Sequence, residues 1–338
     1  MAETVLVTGG TGFVAGHCIA ELLRRGYDVR TTVRDRSREA AVRDAVTSAG
    51  QPGDRVSFAV ADLASDAGWA AAVAGRDYVL HVASPLGADA PKDPDALIGP
   101  ARDGTLRMLR AATDAGVRRV VMTSACAAAT PPLASQDSVS DETRWTETDD
   151  PTLTAYRKSK AVSEQAAWAF IRDRGGATTL TTVLPGAVFG PLLSPANRGS
   201  VRVIERLLRG MPGTPRIGFE VVDVRDLADL HVRAMVAPEA AGRRYIAAGE
   251  FRWMSEIAEE LRAGLGTAAA KVPTRNLPDF VVRLLARFDP GVRALAPYLG
   301  RRHLHSSALA LKSLGWQPRP AAETVTDCGR SLVDHRVV

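Results

Sequence analysis

The first half of the chain alternates short runs rich in β-branched residues with segments of helical periodicity. The run 4–8 predicts a buried strand, and 12–25 predicts a helix that ends before Gly26. Further strands are predicted at 28–33, 56–60, 78–82, 117–122 and 179–184. Strands and helices that alternate in this way indicate a parallel sheet covered on both faces.

The pattern changes after Pro185, where prolines and glycines cluster as far as Gly218. A strand at 220–224 and helices at 226–235, 255–263 and 279–286 follow. We predict an α/β fold of the Rossmann type, a doubly wound parallel sheet in 1–184 to which 220–248 returns. A smaller, mostly helical C-terminal lobe of 185–219 and 249–338 would cover the carboxyl edge of the sheet, where such folds bind ligands.

Composition narrows the classes of partner. The 338 residues carry a net charge of +5, but the arginines are scattered pairs without a basic, aromatic-rich run, so no nucleic-acid partner is expected. No apolar run reaches the ~20 residues that span a bilayer, so no membrane partner is expected either. Three cysteines without framework spacing, and no signal peptide, predict a cytoplasmic protein. No interface stripe stands out, which leaves a monomer or a homodimer.

A glycine-rich stretch, TGGTGFVA, joins the first predicted strand to the first helix. Gly9 permits a tight turn and Gly12 lets the backbone approach a pyrophosphate, with Thr11, Phe13 and Val14 around them. The helix N-terminus then offers free N–H groups to phosphates. A glycine turn without a ligand is the alternative, but the strand–turn–helix context favours a dinucleotide.

The residues at the end of the second predicted strand indicate which dinucleotide the protein binds. NAD enzymes usually place a carboxylate there for the ribose hydroxyl, and this position falls on Val33. Arg34 and Arg38 follow, and two guanidiniums near a 2′-phosphate favour NADP(H). The alternatives are a solvated arginine pair, and an Asp35 that pairs with an arginine or binds a hydroxyl.

Two more strand ends complete the predicted cofactor site. Asp62 and Leu63 follow the third strand and would flank the adenine. Ala83, Ser84 and Pro85 follow the fourth and would border the pyrophosphate and the nicotinamide ribose. These positions gain meaning only together with the glycine turn.

Tyr156 and Lys160 lie four apart at the start of a long helical pattern, so they share one face of the helix. A free phenol has a pKa of about 10, and a nearby ammonium lowers it. Tyr156 can then protonate an alkoxide as hydride arrives. A surface pair is the alternative on spacing alone, but the position before the sixth strand of a dinucleotide-binding sheet favours catalysis.

The sequence resembles the dihydroflavonol reductase-like branch of the extended short-chain dehydrogenases/reductases, which includes cinnamoyl-CoA reductases and microbial aldehyde and ketone reductases. The matching segments run nearly end to end: TGGTGFVA, RTTVRD, VADL, HVASP, VRRVVMTSA, YRKSKAVSEQAAW, VLPGAVFGP, VVDVRDLADLH and SSALALKSLGW. The resemblance implies NADP(H), a Ser-Tyr-Lys set that reduces a carbonyl, Tyr156 and Lys160 as its catalytic pair, and Pro185 at the cofactor. Val188 is predicted there as well.

One departure concerns the serine of that set. The family's carbonyl-polarising serine falls on Ala125 in this chain. Ser124 is the nearest hydroxyl and our choice for the role, although a one-residue offset in a strand points the opposite way. Thr123 shares the face of Ala125 but lies deeper, and Thr130 is another candidate.

The predicted substrate pocket is mainly apolar and includes Leu86, Thr130 and Phe189, which favours a hydrophobic ketone or aldehyde. Thr130 stands about where plant dihydroflavonol reductases carry an asparagine, so a true dihydroflavonol is disfavoured. His303 and His305 lack a third ligand, so no metal is predicted. The alternative functions are an NAD-dependent nucleotide-sugar epimerase or dehydratase, and a non-catalytic NADP-binding regulatory protein.

Overall fold

A computed structural model describes residues 3–85, 95–133, 135–174, 176–196, 199–288 and 290–338. Its strands are β1 (Thr4–Val7), β2 (Asp28–Val33), β3 (Val56–Val60), β4 (Tyr78–His81), β5 (Arg119–Thr123), β6 (Val139–Ser140), β7 (Thr179–Pro185), β8 (Ala187–Phe189), β9 (Gly218–Asp223), β10 (Arg244–Ala247), β11 (Phe251–Trp253) and β12 (Leu304–His305).

The helices lie between these strands. They are α1 (Phe13–Arg24), α2 (Glu39–Ser48), α3 (Trp69–Val73), α4 (Asp95–Asp114), α5 (Ala155–Arg174), α6 (Arg202–Arg209), α7 (Val224–Val236), α8 (Met254–Leu265), α9 (Asp279–Leu285), α10 (Pro290–Leu295), α11 (Ala308–Leu314) and α12 (Ala321–Asp334). Among the described residues, none of these helices is both long enough and apolar enough to cross a bilayer.

A seven-stranded sheet in the order β10-β7-β5-β4-β1-β2-β3 forms the centre of the molecule, and its neighbouring strands all run parallel. Alternate residues of β1 enter different cores: Val5 and Val7 pack with α1 and α7, whereas Leu6 packs with α3 and α4. The sheet is therefore covered on both faces, as period-two alternation requires. The predicted doubly wound fold is confirmed.

The C-terminal lobe has its own small sheet, β11-β9-β8, and a core formed largely by α6, α8 and α12. β9 pairs with β8 and β11 in this sheet, although the sequence analysis assigned its residues from 220 onward to the Rossmann domain. Leu314 and Trp316, assigned to the lobe, pack into the core beside α1 and α7. The domain boundaries themselves stay a prediction.

Candidate active site

The turn after β1 lies against the loop after β4. Gly9 has a φ of +74°, and a Cβ atom there would lie 3.0 Å from the Cβ of Ala83, so the turn requires glycine. The Thr8 hydroxyl accepts hydrogen bonds from the N–H groups of Val82 and Ala83 at 3.1 and 3.0 Å. Two predicted cofactor-binding loops are thereby joined at the carboxyl edge of the sheet.

Gly12 is the residue that precedes α1, and Thr11 lies exposed beside it. No side chain caps this helix end and its first turn carries no acidic residue. The first N–H groups of the helix, which belong to Phe13 and Val14, therefore remain available to an anion at the positive end of the helix dipole. This arrangement fits a pyrophosphate.

The end of β2 presents two exposed guanidiniums, those of Arg34 and Arg38. Neither forms an ion pair with another residue in the part of the chain that the structure describes. Asp35 does not pair with them, because its carboxylate accepts the N–H of Ser37 at 2.7 Å and so begins a short 3₁₀ turn. Val33 is buried in the core. The position predicted to lie next to the adenine ribose is thus cationic, which favours a 2′-phosphate.

The loop after β3 is held against α4. Asp62 accepts the N–H of Ala64 at 2.9 Å, and the carbonyl of Leu63 accepts from Arg107 at 2.8 Å. Gly104 of α4 allows this approach, since a Cβ atom there would lie 2.7 Å from the Cβ of Leu63. Both predicted adenine-site residues therefore occupy a fixed loop at the carboxyl edge of the sheet.

Lys160 of α5 borders a small cavity at the ends of β4 and β5, which Ser84, Pro85, Thr123 and Ser163 also line. The lysine is only 9% exposed, yet its ammonium makes no hydrogen bond or ion pair with any described residue. The Ser163 hydroxyl is buried there without a partner as well. Buried polar groups normally have partners, so both groups fit a ligand rich in hydroxyls, such as a nucleotide ribose.

The electrostatics of Lys160 follow from its burial. Desolvation lowers its pKa to about 8, and the carboxylate of Glu164, one turn further along α5, opposes this effect. His81 of β4 lies near the ammonium, and its own burial lowers its pKa to about 3, so it is neutral at physiological pH. The pKa of Lys160 is therefore close enough to physiological pH that small changes in pH alter its charge.

Tyr156 lies one turn before Lys160 and is 43% exposed, with no hydrogen bond from its hydroxyl to any residue described. Its pKa is raised, chiefly because the protein around the phenol desolvates the charged form. The guanidinium of Arg157 opposes this, and Cys126 adds to it. The charge that acts on the phenol in this structure is thus that of Arg157, whereas the sequence analysis expected Lys160.

Ser124 does not reach this cleft. Its hydroxyl donates to Glu164 Oε2 at 2.6 Å in the interior of the protein. Because Ser124 is one residue before Ala125, its side chain points to the opposite side of the strand end, as the alternation of side chains along a strand predicts. The prediction that Ser124 polarises the substrate carbonyl therefore disagrees with the geometry, and we do not retain it.

Glu164 is the centre of a buried network that sequence reasoning missed. Thr182 donates to its Oε1 at 2.7 Å, and Arg244 of β10 forms an ion pair with the same oxygen at 2.8 Å. Arg244 also donates to the carbonyls of Glu142 and Arg144 at 2.7 and 2.6 Å. The network connects the helix that carries Tyr156 and Lys160 to the acidic loop before it, which contains Asp141, Glu142, Glu147, Asp149 and Asp150.

Thr130 belongs to a second polar chain. Its hydroxyl lies 3.1 Å from His305 Nε2 and donates to the Cys126 carbonyl at 2.8 Å. On its other side His305 Nδ1 lies 2.5 Å from Glu220 Oε2, and the same carboxylate accepts the His305 N–H. This chain of contacts joins Thr130, a predicted pocket residue, to β9 and β12.

Cys126, Glu220 and His305 are the one group among the described residues whose potential metal ligands lie within 4.8 Å of one another. The 2.5 Å separation of His305 Nδ1 and Glu220 Oε2 is shorter than the roughly 3.3 Å between ligands of a tetrahedral ion, so a hydrogen bond joins these two atoms. Burial raises the pKa of the Cys126 thiol, which donates to the Leu184 carbonyl at 3.2 Å. Hydrogen bonds account for the cluster.

The remaining predicted positions differ in their surroundings. Pro185 ends β7 and Val188 lies in β8, both buried where the central sheet meets the lobe. Phe189 is fully buried in the core of the lobe, with its ring 6.2 Å from that of Phe219, so it cannot line the pocket as predicted. Leu86 lies outside the described residues.

Two curated relatives are named as reductases. The chain is 35% identical over 312 residues to the ketoreductase azaE of Aspergillus niger, which covers 86% of this chain and 90% of that protein. It is also 35% identical over 265 residues to cinnamoyl-CoA reductase 1 of Arabidopsis thaliana, with 77% and 74% covered.

Solved structures extend the likeness to the whole chain. Gre2 of Candida albicans, solved in complex with NADPH, has a TM-score of 0.83 at 24% identity and covers 98% of this chain and 99% of its own. At this identity the likeness shows the fold. Residues 5–248 match the NAD dependent epimerase/dehydratase family. The chain therefore belongs to that family, in the extended short-chain dehydrogenase/reductase group and its ketoreductase and cinnamoyl-CoA reductase-like branch.

Proposed function

We propose that this protein is an NADPH-dependent carbonyl reductase that converts a ketone or aldehyde with a hydrophobic body to the alcohol. The observation that carries this proposal is the buried, unpartnered Lys160 ammonium beside Ser84 and Pro85, one helical turn from the free Tyr156 hydroxyl. The relatives named ketoreductase and cinnamoyl-CoA reductase support the reaction class. Monitoring NADPH and NADH absorbance against a panel of aldehydes and ketones tests it.

The residues present fit the cofactor. The glycine turn and the uncapped start of α1 would hold the pyrophosphate, and Arg34 and Arg38 the 2′-phosphate. Lys160 and Ser163 would hold ribose hydroxyls. When bound, the reduced nicotinamide supplies the hydride.

The chain's own residues would then do the following. Tyr156 donates its phenolic proton to the carbonyl oxygen as that oxygen becomes an alkoxide. The positive charge of Arg157 stabilises the phenolate that remains. Ala125 offers no hydroxyl to the substrate oxygen, so Tyr156 is the principal hydrogen-bond donor to it.

Two alternatives make different predictions for the same absorbance assay. The matched family includes epimerases and dehydratases, which would leave net NADPH or NADH unchanged. A non-catalytic NADP-binding protein is favoured by the lack of a serine at Ala125, and it would bind NADPH without turnover of any carbonyl. The exposed arginines after β2 and the buried Val33 argue against an NAD-dependent epimerase.

Cofactor preference provides a first prediction. Replacement of Arg34 by alanine should lower the ratio of kcat/KM for NADPH over NADH by about 10- to 100-fold, since a charge-assisted hydrogen bond to phosphate is lost. Steady-state kinetics with both cofactors measure it. Arg36→Ala is the control, because Arg36 already pairs with Glu39 at 3.1 Å. An unchanged ratio in Arg34→Ala would refute the 2′-phosphate assignment.

The absent serine provides a second prediction. Ala125→Ser should raise kcat for a simple ketone, because it restores a donor whose removal typically costs about 10²–10³ in rate. Ser124→Ala should leave kcat within about threefold once folded, since its hydroxyl serves Glu164. Collapse of activity in Ser124→Ala at unchanged thermal stability, with no gain from Ala125→Ser, would return the role to Ser124.

The pKa of Lys160 provides a third prediction. The ammonium prevails below about pH 8 and is lost above it, so NADPH binding should weaken as pH rises through that value. Glu164→Gln removes the charge that favours the ammonium, so the fall in NADPH affinity should occur at lower pH. NADPH fluorescence titrations from pH 6 to 10 measure both. Asp173→Asn, an exposed change on the same helix, should leave the pH at which NADPH affinity falls unchanged. The same pH in Glu164→Gln as in the wild type would contradict this explanation.

A further inference from the structure

Arg157 directly follows Tyr156 on α5. In the reaction described above, its only role is to supply a positive charge near the phenolate. Its guanidinium lies 4.5 Å from the ring centre of Tyr298, which fixes it by cation–π stacking. No carboxylate in the described parts of the chain pairs with it. An arginine that is half-buried, oriented by an aromatic ring and unpaired retains its five N–H donors for a ligand.

Next to it lie further polar atoms without partners. The Tyr298 hydroxyl and both ring nitrogens of His303 are buried and form no hydrogen bond within the described structure. Native proteins leave few buried polar groups unsatisfied, because each carries the full cost of its desolvation. Burial lowers the pKa of His303, so its neutral ring offers one donor and one acceptor. Arg157 and the Tyr298 hydroxyl add further donors, so a ligand that satisfies most of these atoms must be rich in acceptors.

The neighbouring acidic groups are already engaged. Asp137, which lies near His303, accepts the Arg302 N–H at 3.0 Å. The Glu220 carboxylate accepts the backbone N–H of His305 and also contacts Nδ1 of the same residue. Neither carboxylate forms an ion pair with Arg157 in the described structure. At His303 the positive charges of Arg157 and Arg301 oppose the negative charge of Asp137, so the guanidiniums outnumber the carboxylate there.

We propose that Arg157, Tyr298 and His303 form a subsite for the carboxylate of the substrate, so that the carbonyl compound reduced beside Tyr156 is a keto acid. The inference rests on the proposed reductase function and specifies its substrate class. A guanidinium binds a carboxylate through two parallel hydrogen bonds, which would also orient the substrate along the cleft. The apolar part of the pocket would hold the alkyl chain between the carboxylate and the carbonyl.

Matched pairs of substrates test the subsite. 3-Oxobutanoate, 4-oxopentanoate and 5-oxohexanoate are compared with their ethyl esters, which keep the carbonyl and remove the charge. We expect at least one acid to exceed its ester in kcat/KM by about tenfold or more. Arg157→Met should abolish that ratio while the ester rate falls less than the acid rate. Arg172→Met, which removes one positive charge from the exposed end of the same helix, should leave the ratio unchanged.

The outcomes separate the two proposals. Turnover of the esters without preference for any acid, or an equal loss of both in Arg157→Met, would overturn the subsite but leave the reductase standing. If no carbonyl is reduced, the reductase proposal fails, and calorimetric titration of hexanoate into the NADPH complex still decides the subsite. Binding must then weaken about tenfold in Arg157→Met and in His303→Phe, with hexanamide and inorganic phosphate binding poorly. Equal binding of hexanoate and hexanamide would overturn it.

Discussion

Replacement of Tyr156 by phenylalanine is expected to lower kcat by about 10²–10⁴, because it removes the proton donor that we propose for the substrate oxygen. The change deletes one oxygen that has no hydrogen-bond partner in the described structure, so folding should be unaffected. NADPH affinity should stay within about twofold of the wild-type value, since the ring is retained and Lys160 is untouched.

The control for this variant is Tyr27→Phe, which removes a phenolic oxygen far from the cleft, at the start of β2. It should leave kcat unchanged. Single-turnover rates, NADPH fluorescence and thermal unfolding measure chemistry, binding and stability separately. If Tyr156→Phe kept more than a tenth of the wild-type rate, another group would be the acid, and Tyr156 would lose its assigned role.

Breaking the Arg244–Glu164 pair should have the largest effect on stability. Arg244→Met leaves the fully buried Glu164 carboxylate without its cation, and removal of one partner from a buried pair typically costs about 3–5 kcal/mol. The carbonyls of Glu142 and Arg144 lose their donor in the same step. We expect the free energy of unfolding to fall by that amount, and the acidic loop before α5 to become more sensitive to protease.

A second substitution distinguishes the uncompensated charge from simple loss of packing. Glu164→Leu combined with Arg244→Met removes both charges, so the double variant should be more stable than Arg244→Met alone. Arg172→Met, which breaks an exposed pair with Asp173, should change the unfolding free energy by less than about 0.5 kcal/mol. Additive losses in the double variant, measured by chemical denaturation, would show that the charges do not compensate each other.

The parts of the site that were predictable from the sequence are local in the chain. The glycine turn follows from the left-handed conformation at Gly9 and the close approach that Gly12 permits. The position of Tyr156 one turn from Lys160 follows from the helical repeat. The strand limits at 28–33 and 56–60 agree with β2 and β3 because turn-forming residues lie on both sides of each run, Gly26 and Asp35 for β2 and Gly53 and Asp62 for β3.

The parts that sequence missed depend on contacts between distant segments. Glu164 and Arg244 are 80 residues apart, and Glu220 and His305 are 85 apart. Neither pair has a local pattern, because a charged residue in a strand is equally compatible with solvent or with a buried partner. The direction of Ser124 was also undetermined, since the backbone leaves the strand at this point and its alternation no longer fixes the side chain.

The fate of the cofactor's hydride tests the central claim most directly. The protein would be incubated with a ketone from the panel and with NADPH carrying deuterium at the transferable position of C4, and the product analysed by mass spectrometry and NMR. The account predicts an alcohol with one deuterium on the former carbonyl carbon for each NADPH consumed. Unlabelled product with NADPH unchanged would contradict it, as would tight NADPH binding without any alcohol formed.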